Sequence, residues 1–318
     1  MQIYNSMVEA NKTIGSYGIS FLDDYLGGIK QSDFILIGAG TGLGKSSLSY
    51  AIAFSNALAG RHVHLLALEA DENEPFHKKM YQLLAQKYYD SGKYKHVEMS
   101  YSNFVRGKID LPELIAECEL ELDKYYKLAV HYKDDGFSVD TLVDKLHEIT
   151  MIRNKCDMII LDHIDYFDII SDNENREVSE IMQLLRQFNI TWKIPIIVVS
   201  HVRKKGNRKQ IIPDIDDFHG TSNKAKQVKT AITLAPDYEH TDYESGKFAT
   251  FISVQKDRIS GGSNIVGGCI FDRNRNTYEG RYRLLRSINY GEGVEEIENR
   301  PSWANHSTRP EQQRLTYT

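Results

Sequence analysis

Residues 33–58 read DFILIGAGTGLGKSSLSYAIAFSNAL, and three local patterns follow one another within this stretch. The first six residues are a short apolar run typical of a buried strand. A glycine-rich segment ends at Lys45, and an apolar pattern with helical spacing follows it. A strand, a glycine-rich loop and a helix in this order are the context that a phosphate-binding loop requires.

This loop departs from the strict phosphate-loop pattern at one position, because Ala39 stands where glycine is usual. Alanine is compatible with the loop wherever φ is negative, since backbone amides make the cradle. Lys45 is predicted to reach the β- and γ-phosphates, and Ser46 to hold Mg²⁺ through its hydroxyl. The alternative is a glycine-rich turn followed by a chance Lys-Ser pair. The predicted nucleotide contacts are Ala39, Gly40, Thr41, Gly42, Leu43, Gly44, Lys45, Ser46 and Ser47.

The composition is that of an ordinary folded chain. Its 318 residues carry a net charge of −5, so any surface for nucleic acid must be a local patch. The three cysteines form no Cys-x-x-Cys pair, which indicates neither a zinc site nor a disulfide framework. No apolar run approaches the ~18 residues of a membrane span, and the N-terminus lacks the apolar core of a secretory signal. We expect a cytoplasmic protein with no membrane partner, which includes a phage protein in a bacterial cytoplasm.

Short apolar runs alternate with amphipathic stretches along most of the chain. This alternation predicts an α/β fold with a mostly parallel sheet and helices on both faces. The last apolar runs follow one another without helices and predict antiparallel strands added near the C-terminus. Strands are predicted over 33–38, 62–68, 127–132, 157–162, 195–200, 230–235, 248–255 and 264–271, and helices over about 45–58, 74–90, 111–125, 138–152 and 174–191.

The chain divides into three predicted segments. Residues 1–14 form an N-terminal arm, and residues 15–290 form one large domain. Residues 291–318 are polar and predict a flexible tail.

Three polar residues each follow a buried apolar strand, where they can face the phosphate loop. Asp162 is a candidate for the Mg²⁺ side of the site, with Asp165 as a rival and a strand-end turn as the alternative. Glu69 is a candidate general base, although the acidic run after it also fits a solvated loop. His201 is a candidate γ-phosphate contact, although a lone histidine is more often structural.

Taken in order, several stretches resemble the RecA-like motor domain of DnaB-type hexameric replicative helicases, most of all the helicase half of phage primase-helicases. The resemblance covers about residues 15–280. It implies a RecA-like P-loop NTPase fold with ATP and Mg²⁺ as ligands. The stretches that carry it are YGISFLDDYLGGIKQSDFILIGAGTGLGKSS (17–47), LALEA (66–70), IILDHID (159–165), VVSHVRKK (198–205) and SVQKDRISGGSNIVGGCIFDRNRNTYEG (253–280).

The resemblance also implies roles for single residues. Glu69 matches the glutamate that activates water, Asp162 the metal-side aspartate, and His201 the γ-phosphate sensor. Lys256 and Arg258 match the Lys-x-Arg that carries an arginine finger acting on a neighbouring subunit. Their alternative is an exposed basic pair on a hairpin. A trans finger requires a homo-oligomer, and the habit of the family is a hexamer.

Residues 213–227, PDIDDFHGTSNKAKQ, match the family segment after the DNA-binding loop only in part. His219 stands where arginine is usual, and Ser222 where glycine is usual. Lys229 replaces the acidic residue normally found before the next strand. These departures fall in the segment that the resemblance links to DNA binding, and not in the nucleotide site.

A basic run directly follows His201 and predicts contacts to nucleic-acid phosphates rather than to bases, since no aromatic residue interrupts it. The alternative is a solvated charged loop. Lys224, Lys226 and Lys229 follow soon after and add to the positive charge. The predicted DNA contacts are Arg203, Lys204, Lys205, Arg208 and Lys209.

Two functions remain open from the sequence. The first is an ATP-dependent DNA helicase, a ring that translocates on single-stranded DNA in replication and hydrolyses ATP at subunit interfaces. Its candidate partners are a separate primase, polymerase or loader. The second is a RecA-like recombinase or ATP-gated scaffold that binds DNA without unwinding it. Strand displacement on a forked duplex separates the two.

Overall fold

A ten-stranded mixed sheet lies at the centre of the protein. The computed structural model describes residues 2–94, 97–133, 136–152, 155–168, 174–202, 210–218, 222–259 and 264–304. Two short strands form a separate antiparallel pair. The strands are β1 (Thr13–Gly15), β2 (Ile29–Lys30), β3 (Phe34–Ala39), β4 (Val63–Ala67), β5 (Leu128–Tyr132), β6 (Met158–Asp162), β7 (Ile196–His201), β8 (Thr230–Pro236), β9 (Lys247–Asp257), β10 (Ile265–Asp272), β11 (Thr277–Ile288) and β12 (Gly293–Glu296).

The sheet has a parallel half and an antiparallel half. Its strand order is β12-β11-β10-β9-β8-β3-β7-β6-β4-β5. Strands β8 to β5 in this order run parallel, and β8 to β12 pair antiparallel. Parallel neighbours need crossover connections, whereas antiparallel neighbours can follow through short turns. The predicted α/β fold with antiparallel strands near the C-terminus is therefore confirmed.

Helices cover both faces of the parallel half, so its strands are apolar on both sides. In β3, Ile35 and Ile37 pack into the apolar cluster under α3, α4 and α6. Phe34 and Leu36 point the other way, into the cluster under α7 and α8. The helices are α1 (Gln2–Ala10), α2 (Ser20–Leu26), α3 (Lys45–Leu58), α4 (Glu74–Ser91), α5 (Tyr101–Val105), α6 (Pro112–Leu122), α7 (Val139–His147), α8 (Glu174–Trp192) and α9 (Ser222–Gln227).

Two segments differ from the sequence prediction. Of the helix predicted over 138–152, the α-helical part is α7, which ends at His147. A π-helical turn, Glu148–Ile152, follows it directly. The tail predicted to be flexible from 291 is ordered in its first part, because β12 pairs with β11 and Ala304 is buried. Polar composition concealed this order, which comes from backbone pairing and from Trp303 packing on Tyr25. Residues 305–318 lie outside the described residues, and the domain boundaries stay predictions.

Four parallel strands end at one edge of the sheet, where a crevice can form. They are β3, β4, β6 and β7, whose last residues are Ala39, Ala67, Asp162 and His201. In register, Ala39 lies beside His201, and Ala67 lies beside Asp162. The loops that leave these strands therefore start side by side.

Candidate nucleotide site

The loop between β3 and α3 has the backbone of a phosphate cradle. Ala39 is the last residue of β3 and is fully buried in extended conformation, so an alanine costs nothing there. Gly42 and Gly44 have φ values of +76° and +80°, in the left-handed region that favours glycine. Helix α3 begins at Lys45, so the N-terminal amides of the helix lie where the loop ends. Such a terminus attracts anions.

Lys45 is buried at the base of this loop. Its Nζ lies 3.4 Å from the carbonyl oxygen of Ala39 and 3.3 Å from that of Gly40. It also lies 2.9 Å from Nδ1 of His201. Burial lowers the pKa of Lys45, although nearby carboxylates oppose the shift. Burial and the adjacent ammonium group both lower the pKa of His201, which favours a neutral ring that accepts from Lys45.

Asp162 ends β6 inside the protein and is only 2% exposed. Its Oδ2 accepts a hydrogen bond from Ser49 at 2.7 Å, and Oδ1 has no hydrogen-bond partner among the described residues. Burial raises the pKa of Asp162, and hydrogen bonds from Ser49 and Ser46 oppose that rise. An open carboxylate oxygen beside a serine hydroxyl fits Mg²⁺ and its water shell, so Asp162 and Ser46 can hold the ion. Bound there, Mg²⁺ would offset the negative charge of phosphate groups.

Glu69 follows β4 and is half-exposed on the wall of the same crevice. Its Oε2 lies 3.1 Å from Nε2 of His163, and burial together with this carboxylate raises the pKa of the Tyr166 hydroxyl. A carboxylate held in this way can accept a proton from a water molecule. Glu74, a nearby acidic residue, forms an ion pair with Lys78 instead.

Asp165, the rival metal ligand, is already engaged by other groups. Its Oδ2 accepts the main-chain N–H of His201 at 2.7 Å, and its Oδ1 accepts from Lys224 at 2.9 Å. Lys224 is fully buried and also donates to the Ser200 hydroxyl at 2.9 Å. Burial alone would raise the pKa of Asp165, but the His163 side chain and these two donors hold it well below its ordinary value.

A cluster of His163, Asp165 and His201 has ligand atoms within 4.8 Å of one another, as a transition metal would need. Two ammonium groups already contact it, Lys45 at 2.9 Å from His201 and Lys224 at 2.9 Å from Asp165. Because these ammonium groups repel a further cation, the cluster suits a hydrogen-bonded network better than a metal.

One open cleft of about 1160 Å³ is lined by most of the predicted nucleotide-site residues, although Ala39 and Gly40 are not among its lining. The loop contributes Lys45 and Ser46, and the strand ends contribute Glu69, Asp162 and His201. A cation, an anion-attracting helix terminus and a carboxylate pair thus face the same space. This arrangement can hold a triphosphate and its metal and place a water beside a base.

One side of the cleft is aromatic, which the sequence analysis did not anticipate. Tyr238, Tyr243 and Phe248 line it, together with Arg273, whose guanidinium lies 5.8 Å from the centre of the Phe248 ring. Tyr238 is 72% exposed and Tyr243 is 64% exposed, so their rings are open to a planar ligand. The available signal was the pair of tyrosines in PDYEHTDYE, residues 236–244, between two predicted strands.

Lys256 and Arg258 do not join this cleft. The carbonyl oxygen of Lys226 at the end of α9 accepts from Arg258 at 2.8 Å, and that of Ala225 accepts from Lys256 at 2.6 Å. In the β8–β9 register, Asp257 pairs with the first residue of β8, whereas the last residue of β8 pairs with Thr250, which lines the cleft. The basic pair therefore lies near the amino ends of the parallel strands, whereas Lys45 lies at their carboxyl ends.

The basic run 203–209 lies outside the described residues, which include Val202 before it and Gln210 after it. This covers all five predicted DNA contacts: Arg203, Lys204, Lys205, Arg208 and Lys209. The lysines after the run do not act alike. Lys224 is buried against Asp165, and Lys229 lies 3.0 Å from Asp33, so both serve ion pairs rather than a basic surface. Lys226 is exposed.

Comparisons with known proteins place the chain among replicative helicases in sequence and fold. One relative is a probable plasmid replicative DNA helicase of Chlamydia psittaci, which is 22% identical over 250 residues. The match covers 76% of this chain and 50% of that protein, so the chain spans about half of the relative's length.

Among the described residues, no helix is long and apolar enough to cross a membrane.

Solved structures share the fold at low sequence identity. A DnaB-like replicative helicase, described with its interactions with primase, aligns with a TM-score of 0.69 at 16% identity, over 87% of this chain and 64% of that one. The ATPase domain of G40P aligns with a TM-score of 0.60 at 16% identity, over 93% and 96%. A KaiC-like protein from Pyrococcus horikoshii OT3 aligns with a TM-score of 0.52 at 14% identity, over 81% and 95%.

These likenesses establish the RecA-like fold that the sequence predicts. The profile of the DnaB-like helicase C terminal domain matches residues 16–275, which is most of the chain and includes Lys45, Ser46, Glu69, Asp162 and His201. The chain is therefore a member of the DnaB-like helicase C-terminal domain family.

Proposed function

We propose that this protein is an ATP-driven translocase on single-stranded DNA that forms a ring and acts as a replicative DNA helicase. The observation that carries the proposal is the convergence of five side chains on one cleft: Lys45, Ser46, Glu69, Asp162 and His201. They come from four separate parts of the sequence, because Lys45 and Ser46 are neighbours. Each has the chemistry that one step of phosphoryl transfer needs.

The geometry supports one role for each of these side chains. Lys45 and the amides of the loop hold the phosphates of ATP, and Ser46 with Asp162 holds Mg²⁺. Glu69 accepts the proton of the attacking water. His201 contacts the γ-phosphate and exchanges its contact with Lys45, since the two groups lie 2.9 Å apart before any phosphate intervenes.

The position of the basic pair supports an oligomer. Lys256 and Arg258 lie at the edge of the sheet opposite the cleft, so they cannot reach a phosphate held by Lys45 of the same chain. A neighbouring copy that presents this edge to the cleft supplies the missing cation. Six subunits in a closed ring match the habit of the family.

Chain connectivity supports coupling to DNA. The basic run 203–209 begins two residues after His201, so a shift of the γ-phosphate sensor is passed to the residues that hold the DNA backbone. The solved relative described with primase supports a separate primase as a partner, whereas a loader or a polymerase stays a prediction from the sequence.

The test of unwinding is strand displacement on a forked DNA duplex with ATP and Mg²⁺. We expect displacement by the wild type, none by Lys45→Ala, and wild-type displacement by Lys93→Ala, which removes an exposed lysine outside the cleft. ATPase stimulated by DNA without displacement, at saturating protein, would favour the recombinase or scaffold function.

The test of the shared site is a mixture of two inactive variants. Arg258→Ala should lose ATPase activity but bind nucleotide, and Lys45→Ala should lose nucleotide binding. In mixed rings a Lys45 cleft faces an intact Arg258, so partial ATPase activity should return. Assembled mixed rings without activity contradict the site between subunits.

A further inference from the structure

His163 has no role in the proposed reaction, yet it lies at the centre of the site. It is 1% exposed and directly follows Asp162. Its Nε2 lies 3.1 Å from Oε2 of Glu69, and its Nδ1 lies 3.4 Å from Oδ2 of Asp165. A buried imidazole thus has one carboxylate at each nitrogen.

Packing holds the plane of this ring. Tyr166 meets it edge to face at 4.6 Å between ring centres, and His201 meets it at 4.3 Å. The two carboxylate contacts are short but fall outside hydrogen-bond angles, and neither nitrogen has another partner among the described residues. Buried polar atoms without partners are rare in native proteins. We therefore assign the two carboxylates as the partners of these nitrogens.

The Asp165 oxygen beside His163 has a second contact. It also accepts the main-chain N–H of His201 at 2.7 Å. The other oxygen of Asp165 is fixed by Lys224, whose side chain is fully buried. The anchored carboxylate of Asp165 therefore contacts both the main chain of His201 and the ring of His163, which in turn contacts Glu69.

We propose that His163 is a positioning residue, which holds the carboxylate of Glu69 in place and ties it through Asp165 to the main chain of His201. The inference rests on the proposed role of Glu69 as the base. Its consequence is that the base and the γ-phosphate sensor move as one unit. A movement of the β7 end on loss of phosphate then withdraws the base as well.

Two substitutions separate the two contacts of the ring. Asparagine places an amide nitrogen near the position of Nδ1 and keeps the contact with Asp165 only. Glutamine places it near the position of Nε2 and keeps the contact with Glu69. Because a displacement of about 1 Å in a reacting group costs about 100-fold in rate, we expect His163→Asn to lower kcat by about 10- to 100-fold. His163→Gln should stay within about threefold of the wild type, because the contact that positions the base survives.

The measurements are kcat and KM for ATP, the affinity for a non-hydrolysable ATP analogue, and the urea midpoint of each variant. KM and analogue affinity should change by less than about twofold, since no contact with the phosphates is removed. His131→Asn is the matched control, because that histidine stacks on His64 outside the cleft. It should leave kcat unchanged.

A double variant tests whether His163 acts through Glu69. If it does, His163→Asn should lower the residual rate of Glu69→Gln by less than about twofold, since effects within one unit are not additive. Equal losses in the asparagine and glutamine variants, a loss confined to KM, or a full multiplicative loss in the Glu69→Gln background would each overturn the proposal.

Two outcomes remain decisive in less favourable cases. If His163→Asn does not fold, a loss of more than about tenfold in kcat for His163→Gln overturns the inference by itself. Full ATPase activity in Glu69→Gln would instead refute the proposed base. An inactive Glu69→Gln with a fully active His163→Asn would refute only the inference.

Discussion

Replacing Lys224 with methionine should destabilise the protein strongly, although the lysine belongs to a basic part of the sequence. Methionine keeps most of the apolar stem and removes the ammonium group. The Lys224 side chain is 0% exposed and that of Asp165 is 11% exposed, at a distance of 2.9 Å. Breaking a buried ion pair by removing one partner costs about 3–5 kcal/mol. Asp165 keeps the His201 amide as a donor, so we expect a loss near the lower end, about 3 kcal/mol.

The assay is urea denaturation of the wild type and three variants at pH 7. Lys226→Met is the matched control, because Lys226 lies on the same helix and is exposed, and its loss should be below about 0.5 kcal/mol. The double variant Asp165→Asn/Lys224→Met should be more stable than Lys224→Met, because it leaves no unpaired charge.

The pH dependence has a definite sign. The pKa of Asp165 in the folded state lies below its unfolded value of about 3.9. The carboxylate therefore contributes stability that is present above about pH 4 and is lost as the pH falls through the folded pKa. Lys224→Met raises the pKa of Asp165 in the folded state, so less stability should be lost as the pH falls. The buried pair would be refuted if Lys224→Met changed the free energy of unfolding by less than about 1 kcal/mol, or if Lys226→Met lost as much stability. Lys224 would then return to the candidate DNA surface.

Three further predictions concern other parts of the molecule. Asp162→Asn should lower kcat at least about 100-fold at ordinary Mg²⁺ concentration, measured by phosphate release, and an unchanged rate would contradict its metal role. Gly267→Ala should cost about 1–3 kcal/mol of unfolding free energy, because a Cβ would lie 2.4 Å from Phe21. Gly280→Ala, whose nearest contact would be 3.9 Å away, should be neutral in the same urea titration. Burial raises the pKa of the Cys269 thiol to about 12, so iodoacetamide at pH 8 should modify it only on unfolding, and rapid labelling of the native protein would contradict its burial.

Much of the fold could be predicted because its signals are local. Strands such as β3 and β7 bury both faces, so each is a run of apolar residues that any reader of the sequence can find. The phosphate loop is equally local, since its strand, glycines and helix are contiguous. Asp162 and His201 could be proposed because each follows such a run directly.

The tail after residue 291 shows where local signals fail. Strand β12 contains two glutamates and one valine and has no apolar periodicity. It is ordered because β11 offers it a free edge, which supplies main-chain hydrogen bonds whatever the side chains are.

The sequence alone was sufficient to propose the sites that depend on a residue's own neighbours along the chain, namely the loop around Lys45 and the polar strand ends. Only the folded chain decided which of these residues meet. Asp165 and Lys224 are 59 positions apart and become partners because of the way α9 packs. Arg258 and Lys45 lie at opposite ends of the sheet's strands, because β9 runs antiparallel to β8. Periodicity records burial, whereas strand order and direction set distances between remote residues, and no local pattern encodes them.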